Sequence, residues 1–517
     1  MNTRSKALRN TVFSSIAIYT EYVLGMLTSI FIARHLGPAD FGAYSAIIWL
    51  VAMGIAVSNS GTASAAIKFV AELRGRDQND LIAPTIAMLR RIQRGFLAIV
   101  LVAGGLLFWL AGEHFAPGFN HLALFGFYVV AISLRAQYMF NIGIAKGFED
   151  FRALAIIAGV ATPLNLLMVI VAWWLDAEVE ILLAVFLLSS AVFWLMSRAR
   201  TNPLIPPAPV DVEMPRELRR RLQRHVRLVA VTVTVGFFIA SDVEVFFLNL
   251  LDSASSAGYF KVAYQLASGA ANLVPGVIGA LLLPMMAGAL SQGRDIAGRR
   301  FVASTNYLFV LAAPLAAFGG VFCAPIIELM YGGQYMPAIP VFAICLGACA
   351  LTTASQGASS LLVSADRQLT ILALSIVSGV VKVTLDLVLI HAWGLLGAAV
   401  AYLVVAVFGI VAMFTIAIRT IGLQPEWLRL LRIALAAILA AGALWPLLGH
   451  WRPLPTLLVG GVGMMVLYAF LTLLFGCWNA GDIQHLRNMH ERHARGRPRL
   501  VGRLLAWSER RAVRDLP

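Results

Sequence analysis

Fourteen apolar stretches divide this chain, and each is long enough to cross a lipid bilayer as a helix. They run 11–33, 43–70, 95–112, 121–145, 153–175 and 178–197, then 226–251, 259–287, 301–331, 337–364, 369–392 and 395–418, with 431–449 and 454–476 at the end. A hydrocarbon core takes ~20 residues of helix, and inside it every backbone polar group must be paired within its own segment. Continuous runs of this length exclude a transmembrane β-barrel, whose strands are short and alternating. Composition agrees: 60% hydrophobic and 13% charged residues, with a mean hydropathy of +0.82, lie far from a soluble domain. The first stretch is too long for a signal peptide and lacks a small-x-small cleavage site, so it is read as a retained span. The expected fold class is an all-α polytopic membrane protein with about fourteen transmembrane helices.

The charges orient it. Taking the stretches alternately outward and inward from a cytoplasmic Met1 places only Arg34 and Arg452 on the far side. Lys68, Arg135, Lys261 and Lys382 fall inside apolar stretches, and every other Lys and Arg lands on the starting side, Arg227 and Arg432 at the starting-side ends of their stretches. Cytoplasmic loops keep basic residues, so an inner, cytoplasmic membrane location with both termini cytoplasmic is expected. The net charge of +14 is spread over these flanking loops. That distribution points to topology and anionic membrane lipids, with no nucleic acid as partner.

A weak repeat organises the chain. Residues 31–44 read FIARHLGPADFGAY, a helix end, a polar turn and a Gly-aromatic restart; about 216 residues later 247–260 read FLNLLDSASSAGYF with the same layout. AKGFEDFRALAIIAGV at 145–160 pairs likewise with VSADRQLTILALSIVSGV at 363–380. Six spans per copy is an even number, so the two lobes run parallel around a central cavity, one of the repeat architectures of secondary transporters. The expected domains are a lobe at 1–200, a cytoplasmic linker at 201–225, a second lobe at 226–418, two additional transmembrane helices at 419–476 and a basic cytoplasmic tail at 477–517. Five prolines in 198–227 prevent a continuous helix at its start, and 499–516 can form a basic amphipathic helix on the inner leaflet.

Catalytic machinery is not expected. The extracytoplasmic connections are all short, and no HExxH, GxSxG, P-loop or paired-carboxylate motif occurs in any loop, which also excludes an ATP-driven mechanism within the chain. Cys345 and Cys349 lie one turn apart inside a span while Cys323 and Cys477 are isolated, a packing pattern rather than a metal or redox one. His485, His490 and His493 sit in the solvated basic tail. No metal site and no cofactor are expected, beyond coupling to H⁺ or Na⁺.

ARHLGPADFGAY at Ala33–Tyr44 resembles the first-loop signature of polysaccharide (O-antigen and exopolysaccharide, Wzx-type) flippases of the multidrug/oligosaccharidyl-lipid/polysaccharide (MOP) superfamily. AGYFKVAYQLA at 257–267, ELMYGGQYMPAIPVFAI at 328–344, LLVSADRQ at 361–368 and WGLLGAAVAYL at 393–403 resemble its later pattern, in order and spacing across spans one to twelve. The resemblance implies translocation of undecaprenyl-pyrophosphate-linked oligosaccharide repeat units between leaflets by alternating access. It also implies working partners: a polysaccharide polymerase and chain-length or export proteins. A drug or metabolite/cation antiporter of the same fold is the alternative. A membrane-embedded glycan polymerase or ligase is the rival from the enzyme class.

Ionisable side chains inside spans cost at least ~2.5 kcal/mol near a helix centre, so each needs a reason to be there. For the pyrophosphate and glycan of such a cargo the cationic candidates are Arg135, Lys382, Lys68 and Lys261. Arg135 lies mid-span with Tyr128, Gln137, Tyr138 and Asn141 nearby; phosphate contact and an ion pair with Glu21 both remain open. Lys382 has Asp386 one turn on and shares a stripe with Ser375, Ser378 and Gly379. Lys68 and Lys261 are near span ends, where snorkelling to the interface is the competing reading. Glu21, Asp242 and Asp386 are the candidates for ion coupling. Glu21 shares a small, polar face with Thr11, Ser14, Gly25 and Thr28, which suits either a cavity wall or close helix packing. Pro163, Pro275, Pro284 and Pro314 and the break at Asn59-Ser60-Gly61 are the expected bends.

Overall fold

The computed structural model describes residues 3–115, 119–207, 214–240, 243–273, 275–478 and 483–484, and among them no strand occurs. The helices, in chain order, are α1 Thr3–Ser58, α2 Thr62–Gly75, α3 Ile82–Phe115, α4 His121–Gly147, α5 Phe151–Trp174 and α6 Val179–Thr201. Next come α7 Arg216–Ala240, α8 Val243–Leu251, α9 Ala254–Leu273, α10 Pro275–Gln292, α11 Arg294–Val321 and α12 Cys323–Tyr331. The series ends with α13 Ile339–Ala354, α14 Gln356–Ser364, α15 Gln368–Ile421, α16 Trp427–Ala443 and α17 Pro453–Leu474. Among the described residues, ten helical segments are long and apolar enough to cross a membrane. Two of the ten contain a kinked helix, α1 and α15, and each of these segments covers two expected crossings, while the expected stretches at 226–251 and 259–287 are not among the ten.

The kinks follow from local chemistry. α1 turns at Gly37 (φ 76°, ψ 176°) and α15 at Gly394 (φ 54°, ψ −129°), conformations that a Cβ disfavours. Pro38 then restarts α1 where a missing N–H costs nothing. The break expected at 59–61 separates α1 from α2. Asp150 caps α5 by accepting from the Ala153 N–H at 3.1 Å, and Asn120 caps α4 through Leu122 and Ala123. Of the bends expected at proline, Pro163 lies inside α5 and Pro314 inside α11. Pro314 has no N–H to give the Val310 carbonyl one turn earlier; the Tyr468 hydroxyl of α17 donates to that oxygen at 2.8 Å.

The chain divides into two compact units: Met1–Lys261 with Val383–Leu395, and Val262–Lys382 with Leu396–Pro517. At one end of the first unit, Ala65, Phe69 and Leu73 of α2 form a buried cluster with Ile82, Ile86 and Leu89 of α3, Phe140 and Ile144 of α4, and Leu218, Leu222 and Val226 of α7. The Arg-rich end of the expected linker is therefore helical from Arg216 and packed, with Arg221 held 2.9 Å from the Glu72 carboxylate. In the second unit α16 packs Ile433, Ala437 and Ala440 against Val310 and Phe322, and α17 adds Met464 and Tyr468.

The repeat survives in three dimensions within the first unit. Gly42 and Gly258, equivalent in the two copies, face each other just after α1 restarts at Pro38 and α9 begins at Ala254: a Cβ on Gly42 would collide with the Ala254 carbonyl, and one on Gly258 with the Pro38 carbonyl. Ala254 and Pro38 are themselves equivalent positions. The second sequence pair also has matching turns, with Glu149 and Asp366 both at φ 58°. Residues 485–517, including the three tail histidines and the expected helix at 499–516, lie outside the described residues, as does Asp242.

Candidate functional site

Arg135 stands on α4 facing α6, half-buried. Its Nε donates to Ser190 Oγ at 3.0 Å, and Ser190 in turn donates to the Phe186 carbonyl one turn back on its own helix. The guanidinium lies 4.4 Å from the Phe193 ring centre, 5.2 Å from Phe186 and 5.9 Å from Tyr138. Aromatic faces stabilise a partly desolvated cation. Among the described residues its one hydrogen bond runs from Nε, which leaves the two terminal amino groups to an incoming acceptor. The hydrogen bond to Glu21 comes from Tyr138, whose hydroxyl donates to Oε1 at 3.1 Å. Arg135 and Glu21 thus have Tyr138 as a common neighbour, its ring 5.9 Å from the guanidinium and its hydroxyl bound to the acid.

A polar seam continues from Arg135 along the α4–α6 contact. Trp194 Nε1 donates to Gln137 Oε1 at 3.2 Å, and Asn141 Nδ2 donates to Ser197 Oγ at 3.1 Å. The seam opens into a cavity of about 290 Å³ bounded by α3, α4 and α6, with Arg90, Arg94 and Arg198 in its wall beside Gln137, Asn141 and Trp194. Along the sequence these three arginines stand only as markers of topology. Arg90 and Arg94 are one turn apart on α3, but Arg198 joins them only through α6, so no single helix shows the cluster.

The second unit has its own buried cation. Ser378 and Lys382 lie one turn apart on α15 and are buried, Lys382 to 1% exposure; Asp386, also buried, falls in the stretch of α15 that belongs to the first unit. Lys382 Nζ lies 5.4 Å from the Tyr402 ring centre. That ring meets Tyr264 edge-on at 5.4 Å, and its hydroxyl is 3.4 Å from Cys349 Sγ. Tyr402 is the repeat equivalent of Phe186, so each copy presents a ring of its sixth span to a cation, supplied by different helices.

The remaining candidates stand apart. Lys68 is exposed on α2 with its ammonium 5.6 Å from the Phe69 ring, near His225. Lys261 is half-buried on α9. Glu21 is exposed, Thr28 turns its hydroxyl back to the Leu24 carbonyl, and a Cβ on Gly25 would meet nothing within 4 Å. The face is thus open at Glu21 and Gly25 and buried at Thr28. Two buried charges received no such role from the sequence. Glu244 on α8 is fully buried, and Arg429 on α16 donates to the Cys477 carbonyl at 2.8 Å and to Glu426 at 3.2 Å, joining α16 to the segment after α17. Among the described residues no group of three or more His, Cys, Asp or Glu can hold a metal ion, and none of the four cysteines is in a disulfide.

Long apolar helices in two repeat-related copies define a multi-pass helical membrane protein, and the comparisons show the same fold elsewhere. The structure superposes on "Lipid II flippase MurJ, inward closed conformation" with a TM-score of 0.71 at 12% identity, over 90% of this chain and 98% of that one. It superposes on an inward-facing multidrug resistance MATE family transporter of the MOP superfamily with a TM-score of 0.64 at 15% identity, over 80% and 99%. For an outward-facing structure of that family the values are 0.53 and 14%, over 81% and 95%. No curated protein matches the chain by sequence. Residues 7–290, more than half of the chain, match the model of the polysaccharide biosynthesis protein family, and the chain belongs to that family.

Proposed function

We propose that this protein is a flippase that carries undecaprenyl-pyrophosphate-linked oligosaccharide repeat units from the cytoplasmic to the outer leaflet of the inner membrane, by alternating access, for cell-surface polysaccharide synthesis. The observation that carries the reading is family membership over 7–290. The fold shared with a lipid II flippase supports it. So does Arg135, whose terminal amino groups suit two phosphate oxygens. Lys382 is the second cationic candidate, with Lys68 and Lys261 as flanking ones. Coupling to H⁺ or Na⁺ falls to Glu21 and Asp386, and to Asp242. The polymerase and chain-length or export proteins would act on the delivered units.

The deciding experiment is a leaflet-accessibility assay in a deletion strain. Lipid-linked repeat units should accumulate on the cytoplasmic face and return to the outer face when the wild-type chain is restored. Unchanged distribution overturns the reading. The fold likeness to MATE transporters favours a second one, a drug or metabolite/cation antiporter. Under that reading the deletion sensitises cells to drugs and leaves the lipid-linked units in place. Cysteine labelling at Asn120, Gln334 and Arg452 tests the orientation, since all three should react from outside.

A further inference from the structure

The cavity at the far end of the α4–α6 seam has a chemistry of its own. Three guanidinium groups share its wall, and among the described residues lining it none is acidic. Like charges gathered in a partly desolvated space repel, and a bound anion removes that cost. The wall is built rather than incidental. Gln93 is buried and spans two partners, donating to Asn59 Oδ1 and to the Ala136 carbonyl, both at 2.9 Å. Asn141 is buried and tied to Ser197, and Arg198 is held over the Trp194 ring at 5.4 Å. Arg90 is half-buried while Arg94 and Arg198 are exposed, so one cation lies deep and two stand nearer the surface. A volume of about 290 Å³ is at the small end of ligand sites (~300–1,000 Å³), suited to a headgroup and too small for a chain of sugars.

We propose that this cavity binds a phosphate-bearing group, with Arg90 beneath it and Arg94 and Arg198 as planar forks on its oxygens. The group has two sources: the phosphate of an anionic phospholipid, or the pyrophosphate of a lipid-linked cargo. Only the second rests on the flippase reading. In that case the cavity is a docking station from which the α4–α6 seam leads toward Arg135.

The test uses the full chain in phosphatidylcholine nanodiscs, with sodium pyrophosphate titrated against the thermal unfolding midpoint. A bound ligand raises the midpoint in proportion to its affinity. Pyrophosphate should stabilise the wild type, less so as salt is raised. The double variant Arg94→Gln/Arg198→Gln should weaken binding at least ~tenfold, and Arg198→Lys by less. Nanodiscs doped with phosphatidylglycerol separate the sources. Competition with pyrophosphate identifies the lipid headgroup, and undiminished pyrophosphate binding identifies the cargo-type group. If the double variant does not fold, Arg94→Gln alone, at an exposed position, provides the same comparison. A variant with a normal ligand-free midpoint that binds both probes like the wild type overturns the proposal, as does a wild type that binds neither. A negative leaflet assay would overturn the transport reading and leave this binding result standing.

Discussion

Gly42 and Gly258 sit face to face where two copies of the same helix restart cross: a Cβ on Gly42 would come within 2.8 Å of the Gly258 nitrogen, and one on Gly258 within 3.3 Å of the Gly42 nitrogen. The relationship is reciprocal, as an internal two-fold repeat requires. Each glycine presents backbone to the other's helix, so no flexible side chain can move aside.

Alanine at either position should therefore cost about 1–3 kcal/mol of stability, the usual range for overpacking. The double substitution should cost less than the sum, because separating the helices for one methyl makes room for the other. Gly25→Ala is the control, since a Cβ there meets nothing within 4 Å. Thermal unfolding of purified variants checks all three. An additive double variant would mean that the two methyl groups do not act on one crossing.

Arg135→Ala should abolish glycan export at normal protein abundance, and Arg135→Lys should restore part of it. An ammonium keeps the charge and loses both the fork and the Nε contact to Ser190. Losing a charge-assisted contact corresponds to roughly 1.5–3 kcal/mol in cargo affinity. Adding Glu21→Gln should not rescue the alanine variant, because Tyr138 is the residue hydrogen-bonded to Glu21. Rescue would show that Arg135 serves the carboxylate and not the cargo.

Tyr468→Phe should destabilise the second unit by about 1–3 kcal/mol, the cost of leaving a buried acceptor without its donor. The Val310 carbonyl has no helical donor because Pro314 occupies the position that would supply it. Pro314→Ala in the Tyr468→Phe background should recover most of the loss, as the new N–H reaches the same oxygen. Chemical denaturation of the single and double variants measures it.

His225 carries a pH dependence. Burial first, and the Lys68 charge second, hold its imidazole below the ordinary value of 6.5, while Ser64 Oγ lies 3.3 Å from Nε2. The folded state thus binds its proton more weakly than the unfolded state. The neutral form's contribution is complete above about 6.5 and is lost as pH falls through that value toward the lowered one. His225→Gln should flatten the decline of the unfolding midpoint between neutral and mildly acid pH. An unchanged slope would assign the acid sensitivity elsewhere.

The covalent sequence alone determined the all-helical, apolar character of the chain, the break at 59–61 and the repeat. A bilayer demands apolar length and internally paired backbone, and both are local properties read directly along the chain. It also showed which charges lie inside spans, because a charge in an apolar run is visible without knowing its neighbours. Partners were another matter. Arg135 faces Ser190 and Phe193 because α4 and α6 meet at one rotation and register, and Glu21 receives Tyr138 instead. Arg90, Arg94 and Arg198 read as ordinary topological charges until α3 and α6 placed them around one cavity. The Val310 carbonyl found its donor more than 150 residues away. In water a polar face tells a helix which side to turn outward, whereas between helices in lipid the tails are as apolar as the packing residues. Rotation and register are then decided by steric fit, glycine on glycine and hydroxyl on carbonyl, and that fit exists only once the helices are assembled.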